Sequence, residues 1–265
     1  ASQGLVLVSS ANSLYFGCLV NHIASAQLRE PGLKILVFDM GFDPFEQLVL
    51  QELESVELAL FPFERFPAHV RNLRNYAWKP LVYMLALQRH RKIFYQDAGQ
   101  ELWQPLGAID GIIERDGYFF VMQGERTLPE KIHPAMFEAL NVPPEFFKGK
   151  DMCAGGIQGY RNDSQAMNDV LGATVVCALD KDCIAPNGAD QGNHRFDQSA
   201  FSIHMSWNAY RCHNAWLFRA YLEEHRLHEA DTHDVPDGFG TVYPIIFSRR
   251  CGPPLSHYPK LRKVI

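Results

Sequence analysis

The chain has 265 residues, 47% of them hydrophobic, enough to bury a sizeable core within one large domain. A formal net charge of −5 gives no general polyanion-binding surface, which argues against nucleic acid as a partner. No apolar run reaches the roughly 18 to 20 residues that span a bilayer, and Ala1-Ser2-Gln3-Gly4 lacks a charged region leading into an apolar one, so no membrane contact is expected from this segment. The six cysteines (Cys18, Cys153, Cys177, Cys183, Cys212 and Cys251) contain no C-x-x-C pair, which argues against structural zinc. Buried free thiols are the expectation, with a small Cys177–Cys183 loop as the alternative in an oxidising compartment.

In chain order, Gly4 to Ser10 reads as a strand covered on both faces, and its near-continuous apolar character places it centrally in a sheet. Phe16, Leu19, Val20 and Ile23 recur at helical spacing until Pro31-Gly32 ends the helix. A second strand follows at Lys34–Asp39, a helix around Phe45 to Leu53, and a third strand at Val56–Leu60. Strand alternating with helix in this way predicts a parallel sheet with right-handed crossovers. Pro62 to Pro80 breaks the pattern and carries Arg65, Arg71, Arg74 and His69, either an anion-binding loop or a solvated surface. A helix through Leu81, Met84, Leu85 and Leu87 then delivers the chain into a short strand, Lys92–Tyr95.

That strand ends at Asp97-Ala98-Gly99, an acid at the carboxyl end of a buried strand, where open α/β sheets bind ligands. Tyr118–Met122 reads as another strand, and His133-Pro134 with Phe137 and Leu140 as a short helix. Met152 to Tyr160 mixes glycines with apolar residues, which implies a strand closely approached at Gly155-Gly156 by a ligand or another segment, or simple packing glycines. A helix from about Ser164 to Leu171 leads into the apolar run Thr174–Leu179, then a polar loop, and Asp197 opens a helix containing Phe201 and Ile203. An acid in a first turn helps the helix dipole, so capping alone accounts for Asp197 as well as catalysis does. His225 and His228 lie three apart, and with Glu224 or Asp231 form a second conceivable metal cluster against the commoner surface reading. No G-x-G-x-x-G or G-x-x-x-x-G-K-[ST] occurs, which removes the main support for dinucleotide oxidoreductases and P-loop enzymes.

Five stretches carry a resemblance: Ser9-Ser10-Ala11-Asn12, Val37 to Gly41, Asn72 to Pro80 with Tyr76-Ala77-Trp78-Lys79-Pro80, Phe94 to Gly99, and His194 to Ala200. Together they resemble the nucleotide-diphospho-sugar transferase superfamily, in a branch of the GT-A glycosyltransferases. The resemblance runs from the first strand to about Ser202. It implies a single α/β, Rossmann-like GT-A domain with a mostly parallel central sheet flanked by helices. Residues 1–102 would be the sugar-nucleotide-binding half and residues 103–265 the acceptor-binding half.

The implied activity is transfer of a sugar from a nucleotide-diphosphate sugar, UDP- or GDP-linked, to a hydroxyl of a glycan or glycoprotein. The alternative is an inactive sugar-nucleotide or glycan-binding module. By the same resemblance the donor would lie on Ser9, Ala11, Asn12, Asp39, Arg74, Lys79, Asp97, Gly99, Gly155, Gly156 and His257. The family's acid-x-acid motif holds Mn²⁺ or Mg²⁺, with a C-terminal histidine, here His257 with His233 behind it, joining Asp97. In this chain the second acid is Gly99, so one carboxylate would leave most ligands to phosphate and water, with Glu101 as possible help. Lys79, Arg74 and Lys260 are then the expected counter-charges to a leaving diphosphate. Asp197 is the expected base for the acceptor hydroxyl, with Gln198 beside it. The implied compartment is the Golgi or ER lumen if the chain is a trimmed catalytic domain, and the cytoplasm otherwise.

Overall fold

The computed structural model of the chain describes residues 2, 4–122, 128–213, 218–220 and 246–248. Strands β1 (Leu5–Ala11), β2 (Lys34–Asp39), β3 (Val56–Leu60) and β4 (Lys92–Gln96) run parallel. Between them lie helices α1 (Phe16–Arg29), α2 (Pro44–Gln51) and α3 (Trp78–Leu87). β5 (Gln100–Leu102), α4 (Gly107–Asp116), β6 (Tyr118–Met122), α5 (Pro134–Ala139) and β7 (Cys153–Arg161) follow. The six-stranded sheet has the order β3-β2-β1-β4-β7-β6, with β7 antiparallel to both β4 and β6. Four of its strands are parallel, so the sheet is mostly parallel, and β1 stands inside it as its apolar sequence requires.

Two apolar layers sandwich this sheet. One packs Leu5, Leu7, Phe94, Phe119 and Ile157 against Leu19, Ile23, Leu50 and Ile109. The other packs Val6, Val8, Ile93, Tyr95 and Tyr160 against Leu81, Val82, Val175 and Phe201. Successive strand residues point to opposite faces, so Phe94 and Tyr95 belong to different layers. α2 starts with a capping box in which Asp43 accepts the Glu46 N–H and Glu46 answers the Asp43 N–H. That motif, with Pro44 at the first helical position, fixes where the chain leaves β2.

The apolar run after Ser164 is helical. A π-helical turn at Met167–Gly172 passes directly into α6 (Ala173–Leu179), whose buried face of Thr174, Val175, Cys177 and Ala178 lies toward α3 and α8 (Asp197–Trp207). A short α7 (Lys181–Ile184) follows α6. β5 pairs with β9 (Ile246–Ser248), which pairs with β8 (Phe218–Ala220), forming a separate small sheet. Residues His225, His228, His233, His257, Lys260, Glu224 and Asp231 lie outside the described residues.

The expectation of free thiols is overturned. Cys177 pairs with Cys183 and Cys153 with Cys212, and no cysteine among the described residues is free. Burial, the basis of the thiol reading, is real for Cys153, Cys177 and Cys183. It does not distinguish a thiol from half a cystine, and the fold brings each pair to bridging distance, Cα–Cα 5.8 and 5.3 Å.

Candidate active site

The crossovers β1→β2→β3 travel one way along the sheet and the chain then returns to place β4 on the other side of β1. This makes the carboxyl ends of β1 and β4 the topological switch point, the crevice where ligands bind in open α/β sheets. Ala11 and Asn12 leave β1 at that edge, Asp39 ends β2 beside them, and Asp97 follows β4. β7 runs the opposite way, so its first residues, Cys153 to Gly156, reach the same edge.

Three charges meet there. Lys79 Nζ lies 3.0 Å from Asp97 Oδ1 and 3.8 Å from Asp197 Oδ2. Lys79 is buried in the first turn of α3, its ammonium 5.3, 5.7 and 5.9 Å from the ring centres of Tyr76, Trp78 and Tyr95. The aromatic faces and the carboxylates together compensate a charge that burial would otherwise neutralise. Burial draws the Lys79 pKa down, but the negative field of Asp97 and Asp197 outweighs it and holds the ammonium above its ordinary range. Asp97 is the solvent-facing member, its side chain 44% exposed.

Asp97 is placed by Gly156 and Tyr95. Its N–H donates to Gly156 O at 3.0 Å, and Tyr95 Oη donates to its Oδ1 at 3.1 Å, itself 2.9 Å from Ser10 Oγ. Its carboxylate also lies on the face of Gly156, where a Cβ would stand 2.1 Å from Oδ2. Gly155 is tight for the same reason: a Cβ there would be 2.8 Å from the Gln198 Cβ and 3.4 Å from Asp197 Oδ2. The close approach inferred from the glycines of β7 is thus made by the candidate site's own side chains. Farther along β7, Gly159 has a plain packing role, against Ile113.

Asp197 opens α8, and its carboxylate is buried beneath the Lys79 ammonium. Burial raises its pKa to about 7, against the pull of Lys79. The cap residue is Phe196, with no side-chain cap, and Asp197 stands in the first turn of α8, where a carboxylate also favours the helix dipole. Gln198 Nε2 donates to Cys153 O at 2.8 Å, tying α8 to the start of β7. Tyr83 Oη donates to Gly155 O at 3.0 Å, tying α3 to the same strand.

The other sequence candidates divide into scaffold and rim. Ser9 is fully buried and donates to Gln96 O. Asp39 is buried and accepts from the Gly41 and Phe42 N–H groups and from Gln47 Nε2, so three of its acceptor positions are occupied by its own turn and helix. Asn12 presents a buried Oδ1 with no protein partner at the end of β1. Arg74 is exposed in the 3₁₀ turn before Tyr76. Gly99 lies in the turn joining β4 to β5, and Glu101 faces Asn21 and Trp103 rather than Asp97. Trp78 belongs to the core, its Nε1 donating to Leu73 O.

No group of three or more His, Cys, Asp or Glu side chains converges among the described residues. At the strand ends the exposed carboxylate of Asp97 already bonds an ammonium, which does not fit a hard divalent cation that takes six or more oxygen ligands. His257, the expected second ligand, lies outside the described residues.

Tyr95, Tyr83 and His194 received no site role in the sequence reading. The first two were legible only as apolar strand and helix positions, because a tyrosine hydroxyl declares its partner only in three dimensions.

Most of the chain aligns with solved glycosyltransferases. A galactosyltransferase, LgtC, in complex with donor and acceptor sugar analogues matches at a TM-score of 0.53 and 14% identity, over 93% of this chain and 87% of that one. A glutamine-to-glutamate active-site mutant of LgtC matches at 0.55 and 12%, with the same coverage. The bifunctional glycosyltransferase WbbM matches at 0.58 and 11%, over 95% of this chain and 46% of that one. The chain therefore has the nucleotide-diphospho-sugar transferase fold, GT-A. Residues 1–84 also match a family described only as a protein of unknown function, DUF1647. Comparison with curated proteins finds no match.

Proposed function

We propose that the protein is a glycosyltransferase that moves a sugar from a nucleotide-diphosphate sugar to a hydroxyl of a glycan or glycoprotein. The observation that carries this reading is the buried Lys79 ammonium held between Asp97 and Asp197 at the switch point of a GT-A sheet. Residues 1–102 supply the donor side and residues 103–265 bring Asp197 and Gln198 to the acceptor side. In the reaction the acceptor oxygen bonds to the anomeric carbon as its bond to the donor phosphate breaks. The departing diphosphate takes the electron pair, and Lys79 offsets its charge, with Arg74 at the rim. If the anomer is inverted, Asp197 takes the acceptor proton, and its pKa of about 7 suits that task near neutrality. If the anomer is retained, Asp197 and Gln198 orient the sugar instead. The disulfides among the described residues support an oxidising lumen, Golgi or ER, over the cytoplasm as the site of folding.

Gly99 in place of a second acid favours a second reading, an inactive sugar-nucleotide-binding module. Both readings are tested with UDP-, GDP- and CMP-sugars, assayed by thermal shift and by product formation with and without Mn²⁺. A donor that shifts the melting temperature and is also consumed supports the transferase; a shift without turnover or slow hydrolysis supports the module. For the transferase, Lys79→Ala should raise the donor KM roughly 10- to 100-fold, as expected for a lost charge-assisted contact of about 1.5–3 kcal/mol. An unchanged KM removes Lys79 from the donor site.

A further inference from the structure

Phe196 has φ 49° and ψ −115°, a conformation that side-chain-bearing residues rarely adopt. The Gln198 N–H donates to Arg195 O at 3.0 Å, closing a four-residue turn around it. Those angles match the first central position of a type II′ turn, normally given to glycine. A residue is held there only when its surroundings over-determine it, and such residues concentrate at functional sites.

The surroundings are all visible. His194, fully buried, accepts the His133 N–H at Nδ1, so its Nε2 carries the proton and donates to Ile184 O. Its ring lies 5.0 Å from that of Phe196. Ser199, also fully buried, accepts the Arg195 N–H and donates to Lys131 O, each at 2.9 Å. On the other side the Phe196 ring packs 6.0 Å from Tyr76. Tyr76 is itself a left-handed non-glycine residue, at φ 53°, and its carbonyl accepts the Lys79 N–H. One strained aromatic residue therefore stands three positions before Lys79, another stands one before Asp197, and the two pack on each other.

We infer that Phe196 is a positioning residue, whose strained turn sets Asp197 and Gln198 against Lys79 and β7. This rests on the glycosyl-transfer reading for its kinetic consequence but not for its geometry. The rival account is that Phe196 merely fills core volume.

Phe196→Ala and Phe196→Gly separate the two. Both remove the ring, but only glycine takes the turn conformation without strain. We expect Phe196→Ala to lose at least tenfold in kcat with the donor KM within threefold of wild type. Phe196→Gly should recover at least fivefold of that loss, the reverse of the usual preference for alanine over glycine. Crystal structures of the two variants should show the Lys79–Asp197 and Gln198–Cys153 contacts kept with glycine and lost with alanine. Should Phe196→Ala fail to fold, Phe196→Leu, which keeps apolar bulk and the strained backbone, replaces it; a smaller loss in the same direction is expected. Equal kcat in both variants, alanine faster than glycine, or intact contacts in Phe196→Ala overturns the inference. Wild-type protein that transfers no sugar defeats the reaction reading instead, and the two crystal structures still decide the geometry.

Discussion

Asp197 is a buried acid with two opposed influences on its carboxyl: burial raises its pKa to about 7, and an ammonium 3.8 Å away keeps ionisation accessible. If it is the base, kcat should rise with pH through a limb near 7, because only the carboxylate accepts a proton. Asp197→Asn should lower kcat by roughly 10² to 10⁴ with donor binding nearly unchanged and abolish that limb. A wild-type kcat in Asp197→Asn, on an acceptor the wild type glycosylates, removes it from catalysis. Asp197 was legible in the sequence as an acid opening a helix, and Asp97 as an acid ending a strand. Their meeting was not, because it depends on how far Lys79 reaches through an aromatic layer and on two glycines of β7 that leave room for nothing else.

At the scale of elements, the parallel half of the sheet was readable almost residue by residue, since β1, β2, β3 and their helices alternate with apolar periods that sterics and burial make unambiguous. In the second half β6 and β7 also read as strands and Asp197 as the start of a helix, but the sequence leaves the run at Thr174–Leu179 unassigned. Thr174–Leu179 has strand-like composition but follows a π-helical turn and packs as a helix, tertiary contacts overriding a weak propensity. The Cys153–Cys212 bridge joins the first residue of β7 to the segment after α8, the two elements that hold Gln198. Closing a loop of 59 residues restricts the unfolded chain by about 4 kcal/mol in the entropy model. Cys212→Ser should accordingly lower the melting temperature by several degrees in oxidising buffer, measured by calorimetry. A melting temperature equal to wild type would mean that α8 and β7 are held by their packing alone.

At the scale of the molecule, burial among the described residues holds His22, His194 and His204 each at a pKa lowered to about 4, and lowers that of His90 as well. Unfolded, each titrates near 6.5, so between pH 6.5 and 4 the unfolded state binds more protons and stability falls as the solution is acidified. Asp197 acts in the opposite sense, because its raised pKa lets the folded state bind the extra proton between about 4 and 7. The four histidines outnumber Asp197, and the lowered carboxyls of Glu30, Glu114 and Asp116 act with them at the acid end, so the net expectation is a falling melting temperature from pH 7 to pH 4.5. A midpoint that rises over that range would show that Asp197 dominates.

The antiparallel course of β7 has a kinetic consequence. Lys79 and Asp97 come from the first hundred residues, whereas Asp197 and the β7 backbone that spaces it arrive much later in the chain. As synthesis proceeds, the parallel unit β1–β4 can pair before the remainder exists, but Lys79 then has only one of its two carboxylates. Contacts of such long sequence separation close last, so competence is acquired at the end of folding rather than with the sheet. Enzymatic activity would then report on completion of the fold, lagging behind the appearance of secondary structure in a refolding experiment.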